Sequence, residues 1–292
     1  KTELAAFVKD ESPDKPVIFF IDELDRCRPS FAIEVLEHAK HLFDVPGLIF
    51  VISIDRKQLG CSIASLYGRE IDVNGYLHRF IDIEYQLPAP KLRDFVHAQT
   101  QRFALKDFHF SKDQLFPRGW QQDLEMAIVV SSRVYNLRLR EVEHVYTRIL
   151  LASRLLSQYI PLNVLAWLIC LRVAHPDLFR SYTSGLGGLD IFSENWKREL
   201  APSQNPERQT ARVLHIISEV FPLSDQAIRT WVKEKNALAD KRTPALADQA
   251  QEAKEAQEAA DIVSEAFFKN GNVKKRILSV LELSESFSLE EG

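Results

Sequence analysis

Hydrophobic residues follow two regimes along the chain. Over the first 90 residues, short continuous apolar runs alternate with segments whose apolar positions recur every three or four residues. Val17-Ile18-Phe19-Phe20-Ile21 is unbroken, β-branched and aromatic, the pattern of a strand buried on both faces. Pro29 stands where a helix begins, a position at which its fixed φ and missing N–H cost nothing. Ala32, Leu36, Ala39 and Phe43 then share one helical face through Asp44, and Val45-Pro46-Gly47 ends the helix. Leu48-Ile49-Phe50-Val51-Ile52 predicts a second buried strand, followed by a helix from about Asp55 to Tyr67. A helical stretch around Tyr76 to Phe80 leads into a third short strand, predicted near Ile81 to Leu87. Strand, helix, strand at this spacing predicts a parallel sheet with crossover helices.

After Pro88 and Pro90 the regime changes to helical periodicity almost throughout, with no convincing strand. Helices are predicted over about 91–106, 120–132, 138–158, 161–174, 188–199, 206–221, 224–236, 246–269 and 272–286. Breaks fall at Pro117, Pro161, the glycine cluster 185–188, Pro202, Pro206, Pro222, Pro244 and Gly271. Ala247, Ala250, Ala253, Ala256 and Ala260 make a narrow face suited to close helix packing or a short coiled coil. No repeat of fixed period occurs. The fold class expected is α/β, a partial parallel sheet followed by an extended helical region.

Composition and charge narrow the function classes. With 292 residues, 46% hydrophobic and 27% charged, the chain can bury a large core or two packed subdomains. A net charge of −4 and no clear basic stripe give no direct nucleic-acid signal. Cys27, Cys61 and Cys170 are too few and too dispersed for a disulfide framework or a zinc site, and point to a reducing cytosol. The first 15 residues lack the apolar segment of a signal peptide. The longest apolar stretch, Val164 to Ala174, is interrupted by Arg172 and falls short of the roughly 20 residues a span requires. A cytoplasmic location is expected. The chain starts with Lys, so residues upstream are expected to have been cut away.

The strongest chemical signal is VIFFIDELDR, residues 17–26, a buried strand ending in two adjacent acids. Carboxylates near a core are costly unless something pairs with them. At the carboxyl end of a parallel strand they face the crevice where α/β proteins bind ligands. In a P-loop NTPase arrangement Asp22 would hold Mg²⁺, and Glu23 would orient and polarise the water that attacks the terminal phosphate of ATP. A solvated acidic turn after a core strand is the competing reading.

DELDRCRP, followed by FAIEVLEHAKHLFDVPGLIFVISIDRKQL, closely resembles the KAP family of P-loop NTPases, in which a DDLDRC-type Walker B segment leads through one helix to a second strand. The resemblance continues through residues 63–68 and 76–80 to Leu87-Pro88, and more loosely through SRVYNLRLREVEHVYTRI and LAWLICLRVAHPDLF, covering roughly residues 15–180. Glu23 replaces the family's more usual second Asp. The resemblance implies a three-layer core over 1–90, a helical lid over 91–185 and a helical C-terminal region over 186–292. It also implies further roles. Ser53 or Asp55 would sense the γ-phosphate, against a helix N-cap role for Asp55. Arg79 would serve as an arginine finger supplied to a neighbour, against a plain surface arginine. Arg140 would reach the nucleotide from the lid, against an intrahelical pair with Glu143. Asp25 and Arg26 would brace the acidic turn or relay nucleotide state. His38 and His41, Trp120, Trp167, Trp196 and Trp231, and Lys274-Lys275-Arg276 read as surface histidines, core aromatics and a solvated helix face.

No G-x-x-x-x-G-K-[ST] occurs in the chain, so it has no phosphate cradle of its own. Two explanations stand: the loop lies upstream, or nucleotide binding has been lost and the scaffold kept. The leading expectation is Mg²⁺-dependent ATP hydrolysis in the intact protein, driving a conformational or assembly switch, with this chain alone inactive. Self-association or a protein partner would engage the helical region. Bacterial members of the family are linked to defence against phage and plasmids, and animal members act at membranes. Membrane helices in the family often lie between the two Walker motifs, which would place any such segment upstream. The rival is a non-enzymatic helical interaction module on a P-loop-derived scaffold.

Overall fold

The computed structural model of the chain describes residues 1–11, 15–103, 119–155, 161–201, 207–240, 247–268 and 273–286. Lys1–Pro88 and Ala89–Gly292 form two compact units. In the first, helix α1 (Thr2–Glu11) precedes strand β1 (Val17–Asp22), and a 3₁₀ turn (Leu24–Arg26) leads into α2 (Pro29–Lys40). Strand β2 (Leu48–Ser53), α3 (Arg56–Tyr67) and α4 (Val73–Leu77) come next. The strands pair in parallel, from Val17 opposite Leu48 to Asp22 opposite Ser53. Parallel neighbours require a crossover. Helix α2 supplies it, opened by Pro29 and followed by Gly47 at φ 80°, where the chain turns into β2.

Side-chain alternation gives this two-stranded sheet two faces. Val17, Phe19, Ile21, Leu48 and Phe50 share one face, and with α1 and α2 they line an apolar hollow of ≈ 580 Å³. Ile18, Phe20, Ile49 and Val51 point the other way and stay open, at 50%, 70%, 46% and 38% exposure. The unit's buried core gathers Leu36, Leu59, Ile63, Leu77 and Phe80 from α2, α3, α4 and the turn after α4, together with Leu24 from the 3₁₀ turn.

The predicted third strand does not form. Residues 81–87 belong to no ladder, and Ile83, Tyr85 and Leu87 are all exposed. Their period-two pattern is that of a strand, but strand geometry needs a neighbour's N–H and C=O groups, and no described strand lies beside this segment. Arg56, at the start of α3, holds the segment through an ion pair with Glu84 and also donates to Asn74 Oδ1 at 2.9 Å.

The second unit is helical among its described residues: α5 (Leu92–Arg102), α6 (Trp120–Tyr135), α7 (Leu139–Leu155), α8 (Leu162–Ala174), α9 (Pro176–Thr183), α10 (Ser193–Leu200), α11 (Arg208–Val220), α12 (Asp225–Asp240), α13 (Ala247–Phe267) and α14 (Val273–Ser286). Periodicity predicts all of these except α9, although Pro176 at its first turn is a start signal. The expected breaks at Pro117, Pro202, Pro206, Pro244 and Gly271 lie outside the described residues. Leu162 to Arg172 are all buried, so α8 is the central helix of this unit, as expected of a helix apolar all round. Trp167 donates to Tyr135 Oη at 2.5 Å within one cluster running from Val96 to Leu281. All four tryptophans belong to or pack against that cluster. Of the expected alanine face of α13, Ala256 and Ala260 are buried, with Ala259 beside them, where the helix meets α11 and α12, Ala253 is partly buried, and the side chains of Ala247 and Ala250 lie outside the described residues. Lys274 departs from the expected solvated face. Its Nζ donates to the Leu223 carbonyl at 2.8 Å and lies 5.4 Å from the Phe221 ring centre. No described helix is long and apolar enough to cross a membrane.

Candidate functional site

Asp22 and Ser53 close β1 and β2 at the same level, paired in register. Two-residue alternation puts both on the face that carries Ile18, Phe20, Ile49 and Val51. A carboxylate and a hydroxyl thus stand side by side at the carboxyl end of the sheet, above an open apolar surface. Asp22 Oδ1 accepts the N–H of Glu23 at 2.8 Å, and both residues are exposed.

Strand geometry ends abruptly at Glu23. Its φ of 57° and ψ of 28° are left-handed, and it is one of only two described non-glycine residues with positive φ. A side chain in that region costs about 1–2 kcal/mol, and residues so held concentrate at functional sites. Residues 24–27 keep the turn in place. Arg26 N–H donates to the Glu23 carbonyl at 3.0 Å and Cys27 N–H to the Leu24 carbonyl at 3.2 Å. Leu24, 2% exposed, anchors the turn in the core between α2 and α3. One apolar residue within D-E-L-D-R therefore fixes the position of both acids. Glu23 Oε1 in turn lies 2.7 Å from Arg26 Nη1.

The other candidates are placed differently. Asp55 caps α3, its Oδ1 accepting from the Lys57 N–H at 2.8 Å and the Gln58 N–H at 3.2 Å, while Ser53 is the residue beside Asp22. Arg79 is exposed just after α4, with its guanidinium carbon 4.6 Å from the Tyr76 ring centre and 5.6 Å from that of Phe80. No carboxylate pairs with it among the described residues. Burial of the Tyr76 hydroxyl, with Tyr67 and Glu37 adding to it, pushes that phenol well above its usual range, so it stays neutral beneath the cation. Arg140 is exposed on α7 in the second unit. Glu143, its partner in the competing intrahelical reading, is engaged by α5, accepting from Gln99 Nε2 at 3.2 Å and Arg102 Nη1 at 3.3 Å. His38 Nδ1 lies 2.8 Å from the Glu34 carbonyl of its own helix.

Among the described residues, no three His, Cys, Asp or Glu side chains gather as a metal cluster. The donors at the strand tips are both oxygen. Mg²⁺ is commonly held by one or two carboxylates, with water and substrate phosphates completing its shell. Asp22 with Ser53 beside it fits that donor chemistry. Sequence reasoning missed the pairing of Asp22 with Ser53, although the two runs begin at Val17 and Leu48 and are of equal length. It also missed the left-handed turn, for which no glycine gave a signal.

The family model described as the KAP family P-loop domain matches residues 2–156. No curated protein and no solved structure matches the chain.

Proposed function

Because the chain belongs to the KAP family of P-loop NTPases, we propose that residues 1–88 carry the metal- and water-managing side of an ATP site, and that the intact protein hydrolyses ATP to drive a conformational or assembly switch. One observation carries this reading. Asp22 and Ser53 adjoin at the end of a parallel sheet, and a strained, core-anchored turn places Glu23 next to them.

Each residue then has a task. Asp22 would hold Mg²⁺, directly or through water, with one carboxylate oxygen already accepting from its own turn. Glu23 orients and polarises the attacking water, as a carboxylate general base does. Ser53 takes the place of Asp55 as the group that reads the terminal phosphate, because Asp55 is occupied by its helix cap. Arg79, stacked and without an ion-pair partner among the described residues, is the arginine offered to a neighbouring site. Bound Mg²⁺–ATP supplies the phosphoryl group and the metal's charge; the chain's own groups orient water and bind. The phosphate-binding loop is assigned to sequence outside these residues. The open sheet face and the unpaired strand-like segment 81–87 support that assignment, since parallel sheets are covered on both faces. The helical region is assigned to self-association or to a protein partner.

The test is Glu23→Gln in the intact protein. Turnover is expected to fall by about 10²–10⁴-fold while ATP binding persists. Equal turnover in the variant removes Glu23 from the mechanism.

A further inference from the structure

The carboxylate assigned to water activation is not free at rest. Glu23 Oε1 sits 2.7 Å from Nη1 of Arg26, three residues on in the same turn, and both side chains are about half exposed. The backbone around them is closed by the Arg26 N–H to Glu23 carbonyl bond and pinned by Leu24, so only side chains need to move to separate the pair. Resting on the nucleotide reading above, we propose that Arg26 is a positioning residue that holds Glu23 until the terminal phosphate of a nucleotide takes its guanidinium.

Three physical points support the exchange. An ion pair this exposed is weak, so its rupture is a small barrier. A guanidinium matches the geometry of a phosphate, which carries more charge than a carboxylate and offers more acceptor oxygens. A carboxylate sharing its lone pairs with a guanidinium has fewer left to orient a water. Glu23 becomes more available when nucleotide is in place, by the few-fold factor an exposed pair allows, which couples readiness for hydrolysis to binding. No other ion pair to Arg26 is present among the described residues to compete with the phosphate.

The experiment measures binding of Mg²⁺ and a non-hydrolysable ATP analogue to the intact protein. Wild type is compared with E23Q, R26A and the double variant. Removing the charge of Glu23 releases Arg26, so E23Q is expected to bind about two- to five-fold tighter, the range an exposed pair allows. R26A is expected to bind more weakly by a similar factor. The double variant is expected to match R26A, because Glu23 then has no guanidinium to withhold. R26K, which keeps the cation, is expected to retain part of the tightening by E23Q, and R26Q replaces R26A if the latter does not fold. Tightening by E23Q that persists without Arg26, or affinity unchanged in R26A, overturns the exchange. E23Q turnover, measured alongside, separates the two ideas: retained turnover refutes the role of Glu23 in hydrolysis while the binding cycle still reads the exchange. An intact protein that binds no analogue overturns both.

Discussion

The left-handed backbone at Glu23 makes a sign prediction that needs no absolute energies. Glu23→Ala and Glu23→Gly both delete the carboxylate and its pair with Arg26, so they differ only in a Cβ atom. At φ 57° a Cβ costs about 1–2 kcal/mol, while glycine loses about 0.4–1 kcal/mol through the greater freedom of its unfolded chain. Glycine should therefore exceed alanine in stability by roughly 0.5–1 kcal/mol at this position. Asp25, two residues on in the 3₁₀ turn and without positive φ, is the control. There glycine should fall below alanine by about 0.5–1 kcal/mol. All four tryptophans lie in the second unit, so intrinsic tryptophan fluorescence does not report on this turn. Native-state hydrogen exchange of amides in α2 and α3 reports opening of the first unit directly. Glycine below alanine at both positions would falsify the strained turn and, with it, the argument that position 23 is held in that geometry for function.

Neighbouring contacts lead to further outcomes. Leu24→Ala removes three buried carbons at about 0.8 kcal/mol each and leaves a cavity beneath the acids, for a loss of about 3 kcal/mol in the same exchange measurement; a loss below about 1 kcal/mol would show that the turn is not anchored there. Asp55→Ala should cost about 1 kcal/mol through its cap, whereas Ser53→Ala should cost little stability and more turnover; the reverse order would return Asp55 to the nucleotide. The Lys274 ammonium has its pKa lowered from the usual 10.5, chiefly by burial and against the opposing charge of Asp225. Its folded-state pKa lies below its unfolded one, so between the two the unfolded chain holds more protons and stability contributed by this residue rises with pH towards 10.5. Denaturant unfolding across that alkaline window should show the slope in wild type and a smaller one in Lys274→Met; identical slopes would place Lys274 in solvent.

Elements whose partners lie nearby in sequence were legible in the residue pattern, and those with remote partners were not. Residues 17–21 and 48–52 declared themselves as strands because a continuous β-branched run has little alternative. The helices of the second unit, α9 excepted, emerged from their apolar periodicity. Arg140 and Glu143 show the limit. Their spacing favours an intrahelical pair, yet Gln99 and Arg102 reach Glu143 from another helix. Lys274 likewise sits in a basic cluster that reads as solvated, yet a carbonyl and an aromatic ring from another segment receive it. At the candidate site, the acids were visible as residues after a strand. The backbone state of Glu23 was not, because it depends on closure of the turn and on burial of Leu24 rather than on any glycine.

The same contrast bears on whether the scaffold serves a nucleotide or only a partner. The second unit buries Leu162 to Arg172 of its central helix, so that apolar pattern is satisfied by its own residues. In the first unit Ile18, Phe20, Ile49 and Val51 form an apolar face that remains open, and the alternation at 81–87 has no ladder. A permanently bare face of this kind is an association hazard, as is a strand edge with free backbone groups. A module that had lost the nucleotide would be relieved of that hazard by polar residues at those four positions. Their large apolar side chains instead suit a sheet that receives another strand and covering helix, and Asp22 and Ser53 stand at the end of the face such a segment would complete.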